Sequence, residues 1–136
     1  MVLNIKNFKR LRRYIAEKVP PRLIYMDWWL SQNGKDIGID FQHSAPLVPS
    51  AVCNTAGCIY GHCAVRFSKR KTLSEQNIVD FAVEFLGVPK YSAILTAVSS
   101  WPTAKLRDAY DNGTARQKKA AVLARLDRVI ERGDLD

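Results

Sequence analysis

No apolar run in this chain approaches the roughly 18 to 20 residues that cross a bilayer, and the opening MVLNIKNFKRLRRYI lacks the unbroken apolar stretch of a signal peptide. The expectation is a soluble, intracellular protein with no membrane partner. Cysteine is scarce, three in all, and the three fall within eleven residues, Cys53 to Cys63. An odd, local cluster does not suit the all-paired disulfide framework of a secreted domain and does suit a reducing compartment. Histidine is scarcer still, with only His43 and His62, so the choice of catalytic bases and metal ligands is thin. No segment repeats at a fixed period and no low-complexity tract occurs, which speaks against a repeat architecture. Also missing are helix-turn-helix spacing, a zinc-finger pattern and an RNP-type aromatic motif.

What is present is a chain of 136 residues, 47% of them hydrophobic, long enough to bury one real core. A single domain over residues 1–136 is the expectation. Lys and Arg outnumber Asp and Glu 21 to 13, for a formal net charge of +8. That balance favours polyanionic partners such as nucleic acid or an acidic protein face.

Hydrophobic periodicity predicts helices along most of the chain. In NIKNFKRLRRYIAEKV, Ile5, Phe8, Leu11, Ile15 and Val19 recur at three- and four-residue intervals, and Lys6, Lys9, Arg10 and Arg13 fall mostly on other faces. Pro20-Pro21 ends this basic amphipathic helix. Residues 20 to 52 carry four of the six prolines and two glycines, so a short helix or turn near 23–31 followed by an irregular connection is expected there. A small β hairpin near residues 37–41 is compatible with that connection. Asn54 or Thr55 can cap a helix over residues 55–68. TLSEQNIVDFAVEFLGVPK then has capping-box spacing from Thr72 to Glu75, with Gly87 as its stop. SAILTAVS reads as a shorter helix. Another runs from Ser100 or Trp101 through Tyr110 to the DNG turn. The last, TARQKKAAVLARLDRVIERG, turns Ala115, Val122, Leu126, Val129 and Ile130 inward, keeps Lys118, Arg125, Arg128 and Arg132 wet, and stops at Gly133. The fold class is all-α, a bundle of about five to six short helices.

The stretch CNTAGCIYGHC, residues 53–63, carries the richest chemistry. On a helix, Cys58 and His62 stand at i and i+4 on one face, with Cys53 just before it. Zinc accepts such donors in a tetrahedral shell, but only His43 is available as a distant imidazole and there is no CxxC knuckle. A nucleophilic Cys53 beside a helix N-terminus is a second reading, and Cys53 with Cys58 closing a small disulfide is a third. Against these stands plain packing. Small residues at Ala56, Gly57, Gly61, Cys63 and Ala64 let a helix approach its neighbours closely, with the thiols acting as compact apolar groups. Packing is the favoured reading, so no cofactor is expected; zinc on Cys53, Cys58 and His62 is the alternative.

The candidate binding residues are the cations of three segments: Lys6, Lys9, Arg10 and Arg13 on the first helix, Lys69, Arg70 and Lys71 after the cysteine segment, and Arg125, Arg128 and Arg132 on the last helix. If two of these groups share a face, phosphates have a landing site whose affinity falls steeply with salt. In YMDWWL, Trp28 and Trp29 cannot point the same way on a helix. One fills the core, and Trp28, if exposed, can stack on a base or anchor a partner.

Taken in order, the aromatic-Asp-Trp segment, CNTAGCIYGHC, the helix end FLGVPK and the segment from WPTAKLRDAYDNG to RLDRVIERG resemble a family of small uncharacterised bacteriophage and bacterial proteins. Members of that family show FDMxxW followed by CGTxxCxxGxA. Cys53, Thr55, Cys58 and Gly61 match the cysteine motif. Asn54 replaces its usual Gly, Cys63 stands where the pattern has Ala, and YMDWWL reverses Met and Asp. The resemblance implies a phage or mobile-element setting in the cytoplasm of a bacterial host. Small accessory proteins of that kind often obstruct a host machine, including nucleic-acid-guided defence complexes. The expectation is therefore a non-enzymatic monomer or homodimer that engages nucleic acid or a host nucleoprotein complex through basic helix faces. The alternative is a thiol or zinc enzyme built on Cys53, Cys58 and His62.

Overall fold

Asn4 opens the first helix, its side chain accepting from the Asn7 N–H at 3.0 Å, and the helix α1 runs Ile5–Lys18. The computed structural model describes residues 2–24, 26, 30–32, 35–37, 45–46, 55–70, 72–73, 75–89 and 98–136. After α1 comes a 3-10 turn at Pro21–Leu23. Then follow strands β1 (Leu30–Gln32), β2 (Lys35–Ile37), β3 (Ala45–Pro46) and β4 (Thr55–Gly57). Helix α2 spans Ile59–Phe67, β5 Thr72–Leu73 and α3 Glu75–Leu86. A second 3-10 turn, Val98–Ser100, leads to α4 (Ala104–Asp111) and α5 (Ala115–Arg132). The expected SAILTAVS helix falls mostly outside the described residues.

The fold is the expected helical bundle, with two small antiparallel ribbons at its side. β1 pairs with β2 in a register that sets Leu30 opposite Ile37, and with β4 so that Leu30 also faces Gly57. The hairpin therefore lies N-terminal to the expected 37–41. The two residues between β1 and β2 are Asn33-Gly34, the dipeptide favoured in two-residue hairpin loops. β3 pairs with β5, Ala45 opposite Leu73 and Pro46 opposite Thr72.

These pairings correct two helix starts. Thr55 is committed to β4, so Cys58 rather than Asn54 or Thr55 caps α2, its Sγ accepting from the Gly61 N–H at 3.4 Å. Thr72 lies in β5, and α3 starts at Glu75. Helix α4 also starts later than the expected Ser100 or Trp101: Ser100 ends the second 3-10 turn, and Thr103 caps α4 at Ala104. Thr114 and Gln117 make a reciprocal capping box at the start of α5, satisfying two N–H groups that a helix start leaves without partners.

One hydrophobic cluster holds the helices. Phe8, Leu11 and Ile15 of α1, Ile59, Cys63 and Ala64 of α2, Ile78, Ala82 and Leu86 of α3, and Val122, Leu126 and Val129 of α5 are all buried in it. α5 packs on both α1 and α4, while α2 packs on α3. Each large apolar side chain so buried contributes about 1.5–3 kcal/mol relative to exposure. Trp101 is buried edge-on against Tyr110 at 5.9 Å, and the Tyr110 hydroxyl accepts from the Met26 N–H at 2.7 Å. Ala115, expected to face inward, is exposed; the inward stripe of α5 starts with Ala121 and Val122.

The N-terminal segment is laid across the end of α3. The Asn4 N–H donates to the Leu86 carbonyl at 2.9 Å and the Asn7 side-chain amide to the Phe85 carbonyl at 2.7 Å. Gly87 permits this approach: its φ is +70°, and a Cβ there would stand 2.9 Å from the Val2 carbonyl oxygen. Helix α1 is thereby fixed against α3 at one end. At its other end Lys119 donates to the Ala16 and Val19 carbonyls at 3.1 and 2.6 Å. No helix among the described residues is long and apolar enough to cross a membrane.

Candidate nucleic-acid interface

The cations that composition treats alike are put to different uses by the fold. At 100° per residue, Arg10 and Arg12 point to opposite flanks of α1. Arg12 reaches α5, where its Nε and one terminal nitrogen meet the two Asp127 oxygens at 2.9 and 3.2 Å. Three of the six cations of α5 turn toward the chain's own C-terminal segment. Arg128 donates to the Asp136 carbonyl at 2.7 Å and Arg132 pairs with Asp134 at 3.2 Å.

Arg125, expected to stay wet and to meet a partner, is instead fully buried, donating from a terminal nitrogen to the Leu135 carbonyl. Burial foremost, then the neighbouring Arg128, lowers its pKa to about 10. No partner can reach this guanidinium in the folded chain, and Arg125 does not belong to the candidate surface. Its spacing with Val122, Leu126 and Val129 shows why: it occupies the core-facing stripe of α5.

The other flank of α1 is different. Arg10, Arg13 and Glu17 stand at i, i+3 and i+7, and with Tyr14 and Lys18 they form one wall of a groove of about 320 Å³ whose other wall is Arg66 and Phe67 of α2. Four cations face one carboxylate there. Glu17 is engaged by Arg13 at 3.2 Å, an exposed i,i+4 pair worth about 0.3–0.5 kcal/mol. Neither Arg10 nor Arg66 has a carboxylate partner among the described residues.

Aromatic rings hold these two guanidinia. Phe67 stacks on Phe85 with centroids 4.7 Å apart, and Phe85 on Phe81 at 5.3 Å, while Tyr14 meets Phe67 edge-on at 6.1 Å. The Arg10 guanidinium lies 5.0 Å from the Phe67 centroid and 5.5 Å from that of Phe85. The Arg66 guanidinium lies 5.7 Å from Phe67 and 5.8 Å from Tyr14. Such cation–π contacts are worth about 0.5–1 kcal/mol each at exposed sites. They bring two like charges from separate helices toward a single ring. Tyr14 registers that field: burial raises its pKa and the Arg66 charge partly offsets the rise.

Of the residues read from the sequence, Arg10 and Arg13 line this groove. Lys6 and Lys9 are exposed on α1 beyond it. Lys69 and Arg70 are exposed just past the α2 wall, with Lys69 in the left-handed region at φ 57°. Lys71 and Trp28 lie outside the described residues. Sequence reasoning missed Tyr14, Lys18, Arg66 and Phe67. The available signal was the juxtaposition of Arg10 with Tyr14 at i,i+4 and of Arg66 with Phe67 immediately before the basic run.

The cysteine segment is engaged in structure. His62 is buried and its Nε2 meets the Leu23 carbonyl at 2.8 Å, tying α2 to the turn after α1. Cys58 and Cys63 are buried, and burial pushes the Cys58 thiol up to about 11 and raises that of Cys63 as well. Among the described residues no group of three or more His, Cys, Asp or Glu side chains is gathered to hold a metal. Cys53 and His43, and with them the Cys53–Cys58 disulfide reading, lie outside the described residues.

No family model, curated protein or solved structure matches this chain.

Proposed function

We propose that this chain is a non-enzymatic nucleic-acid-binding protein that engages its partner, free or within a host nucleoprotein complex, through the groove between α1 and α2. The observation that carries the reading is the convergence of Arg10 and Arg66 on the Phe67 ring, in a groove where Arg13 and Lys18 add charge and one carboxylate opposes them. Phosphate oxygens are the natural counter-charge for guanidinia without carboxylate partners. The charge of the whole chain draws such a ligand in from a distance. The accessory setting, in a phage or mobile element acting in a bacterial cytoplasm against a host machine, rests on the cysteine-motif resemblance alone.

The enzyme reading is weaker on physical grounds. A thiol held at about 11 is overwhelmingly protonated at neutral pH and is a poor nucleophile or ligand, and the His62 Nε2 already has the Leu23 carbonyl.

The test is capture of partners from host lysate by the tagged protein, with and without nuclease, beside the Arg10→Glu/Arg66→Glu variant. Recovery of nucleic acid that disappears with nuclease and with the variant is the expected result. Recovery of partners unaffected by either treatment would overturn the proposal.

A further inference from the structure

Resting on the nucleic-acid reading above, we infer that the α1–α2 groove takes single-stranded rather than duplex nucleic acid, with a phosphate between Arg10 and Arg66 and a neighbouring base stacked on their guanidinium planes. The shape of the site points this way first. Duplex readers push a helix or ribbon into a major groove about 12 Å wide, which requires a basic element that protrudes. Here Arg10, Arg13 and Arg66 line the walls of a concavity, and its 320 Å³ lies at the lower end of the range that holds a small molecule. A nucleotide unit of a flexible strand matches such a space.

The chemistry of the walls points the same way. A guanidinium directs its N–H donors outward in its own plane and leaves its two faces for stacking. Arg10 rests near Phe67 and Phe85, and Arg66 near Phe67 and Tyr14. Both side chains are exposed beyond those rings. In the proposed complex the donors that Asn7 leaves unused meet phosphate oxygens, and guanidinium faces turned from the rings meet a base. Base faces inside a duplex are occupied by their neighbours, so only an unpaired, unstacked strand can use these platforms. Arg10 is also held from its own helix by the Asn7 side-chain oxygen at 3.2 Å, which limits the freedom it gives up when a ligand docks.

Fluorescence anisotropy tests this with three probes: a labelled mixed-sequence single strand of about twelve nucleotides, the same sequence as a duplex, and inorganic polyphosphate as competitor, from about 50 to about 200 mM salt. The single strand is expected to bind at least about fivefold more tightly than the duplex, reflecting one stacked base. Arg10→Gln and Arg66→Gln should each flatten the salt slope by about 0.7 for every phosphate that is no longer neutralised. Arg10→Lys and Arg66→Lys should keep the slope and lose the preference for single strands, because a lysine retains the charge without the stacking plane. Lys105→Gln, exposed on α4 away from the groove, should leave affinity within about twofold. Duplex binding as tight as the single strand, or polyphosphate competing as well as the oligonucleotide, would overturn the inference and leave the nucleic-acid reading standing. Binding to neither nucleic acid would overturn both.

Discussion

Replacing Arg125 with Met asks what a fully buried cation contributes to this fold. The lowering of its pKa to about 10 by burial and by Arg128 corresponds to roughly 3 kcal/mol against keeping the charge in place. The hydrogen bond from the guanidinium to the Leu135 carbonyl returns about 1.5–3 kcal/mol, the range for bonds to charged groups. The two are of similar size, and the stem adds packed volume beside Val122, Leu126 and Val129 on the same stripe of α5. Arg125→Met keeps most of that volume and should change stability by no more than about 1 kcal/mol. Arg125→Ala removes the stem, leaves a cavity and should cost about 2–5 kcal/mol. For a chain of this size those figures translate to a thermal midpoint within about 4 °C of the parent for Met, and a fall of about 8 °C or more for Ala. Urea denaturation supplies the free energies and a thermal melt the midpoints. A Met variant as unstable as the Ala variant would refute the reasoning by showing that the charge itself holds the C-terminal segment. Lost oligonucleotide binding at unchanged stability would return Arg125 to the interaction surface.

Four further outcomes follow from the same geometry. Because the folded-state pKa of Cys58 is raised from 9.0 to about 11, the stability it contributes is fully present below about pH 9 and should be lost as pH rises toward 11; urea midpoints at pH 8 and pH 10.5 that coincide would contradict this burial. In the same state, Cys58 and Cys63 should resist iodoacetamide at pH 8 until denaturant unfolds the chain, and rapid native labelling at either position, located by peptide mass, would show that α2 opens. Tyr110→Phe strips the acceptor from the buried Met26 N–H and should cost about 1–3 kcal/mol, measured by urea denaturation, with no cost meaning that this N–H finds another partner. Gly87→Ala should destabilise more than Gly133→Ala. Both glycines have positive φ, but only at Gly87 would the new Cβ collide with backbone, 2.9 Å from the Val2 carbonyl oxygen, whereas nothing lies within 4 Å at Gly133. Strain from φ alone costs about 1–2 kcal/mol, and equal losses in thermal melts would mean that the N-terminal segment gives way.

Local pattern determined the helices. The three- and four-residue spacing of Phe8, Leu11 and Ile15, the Pro20-Pro21 stop, the Gly87 and Gly133 ends and the basic amphipathic face of α1 can all be read without a fold, because each depends on residues within a turn or two of one another. The start of α2 cannot. Whether Thr55 caps a helix or joins a strand depends on Leu30–Gln32, a segment more than twenty residues away, and strand pairing won, passing the cap to Cys58. The Asn33-Gly34 dipeptide does mark the hairpin, and it is a stronger local signal than the brief alternation around residue 37.

The candidate site divides in the same way. Composition and periodicity place an excess of cations on helix faces and put Arg10 and Arg13 among the binding candidates. They cannot say which cations find partners inside the molecule. Asp127 takes Arg12, the C-terminal segment takes Arg125, Arg128 and Arg132, and two backbone carbonyls of the α1 end take Lys119. Nor can they bring Arg66 of α2 against the rings that hold Arg10 on α1, since those residues are 56 positions apart and meet only because α1, α2 and α3 pack against one another. The sequence by itself determined how much positive charge the surface carries. Tertiary packing decided where it is concentrated, because the cations that the fold ties to Asp127, to the C-terminal segment and to the carbonyls at the end of α1 add less to the surface field than those of the α1–α2 groove.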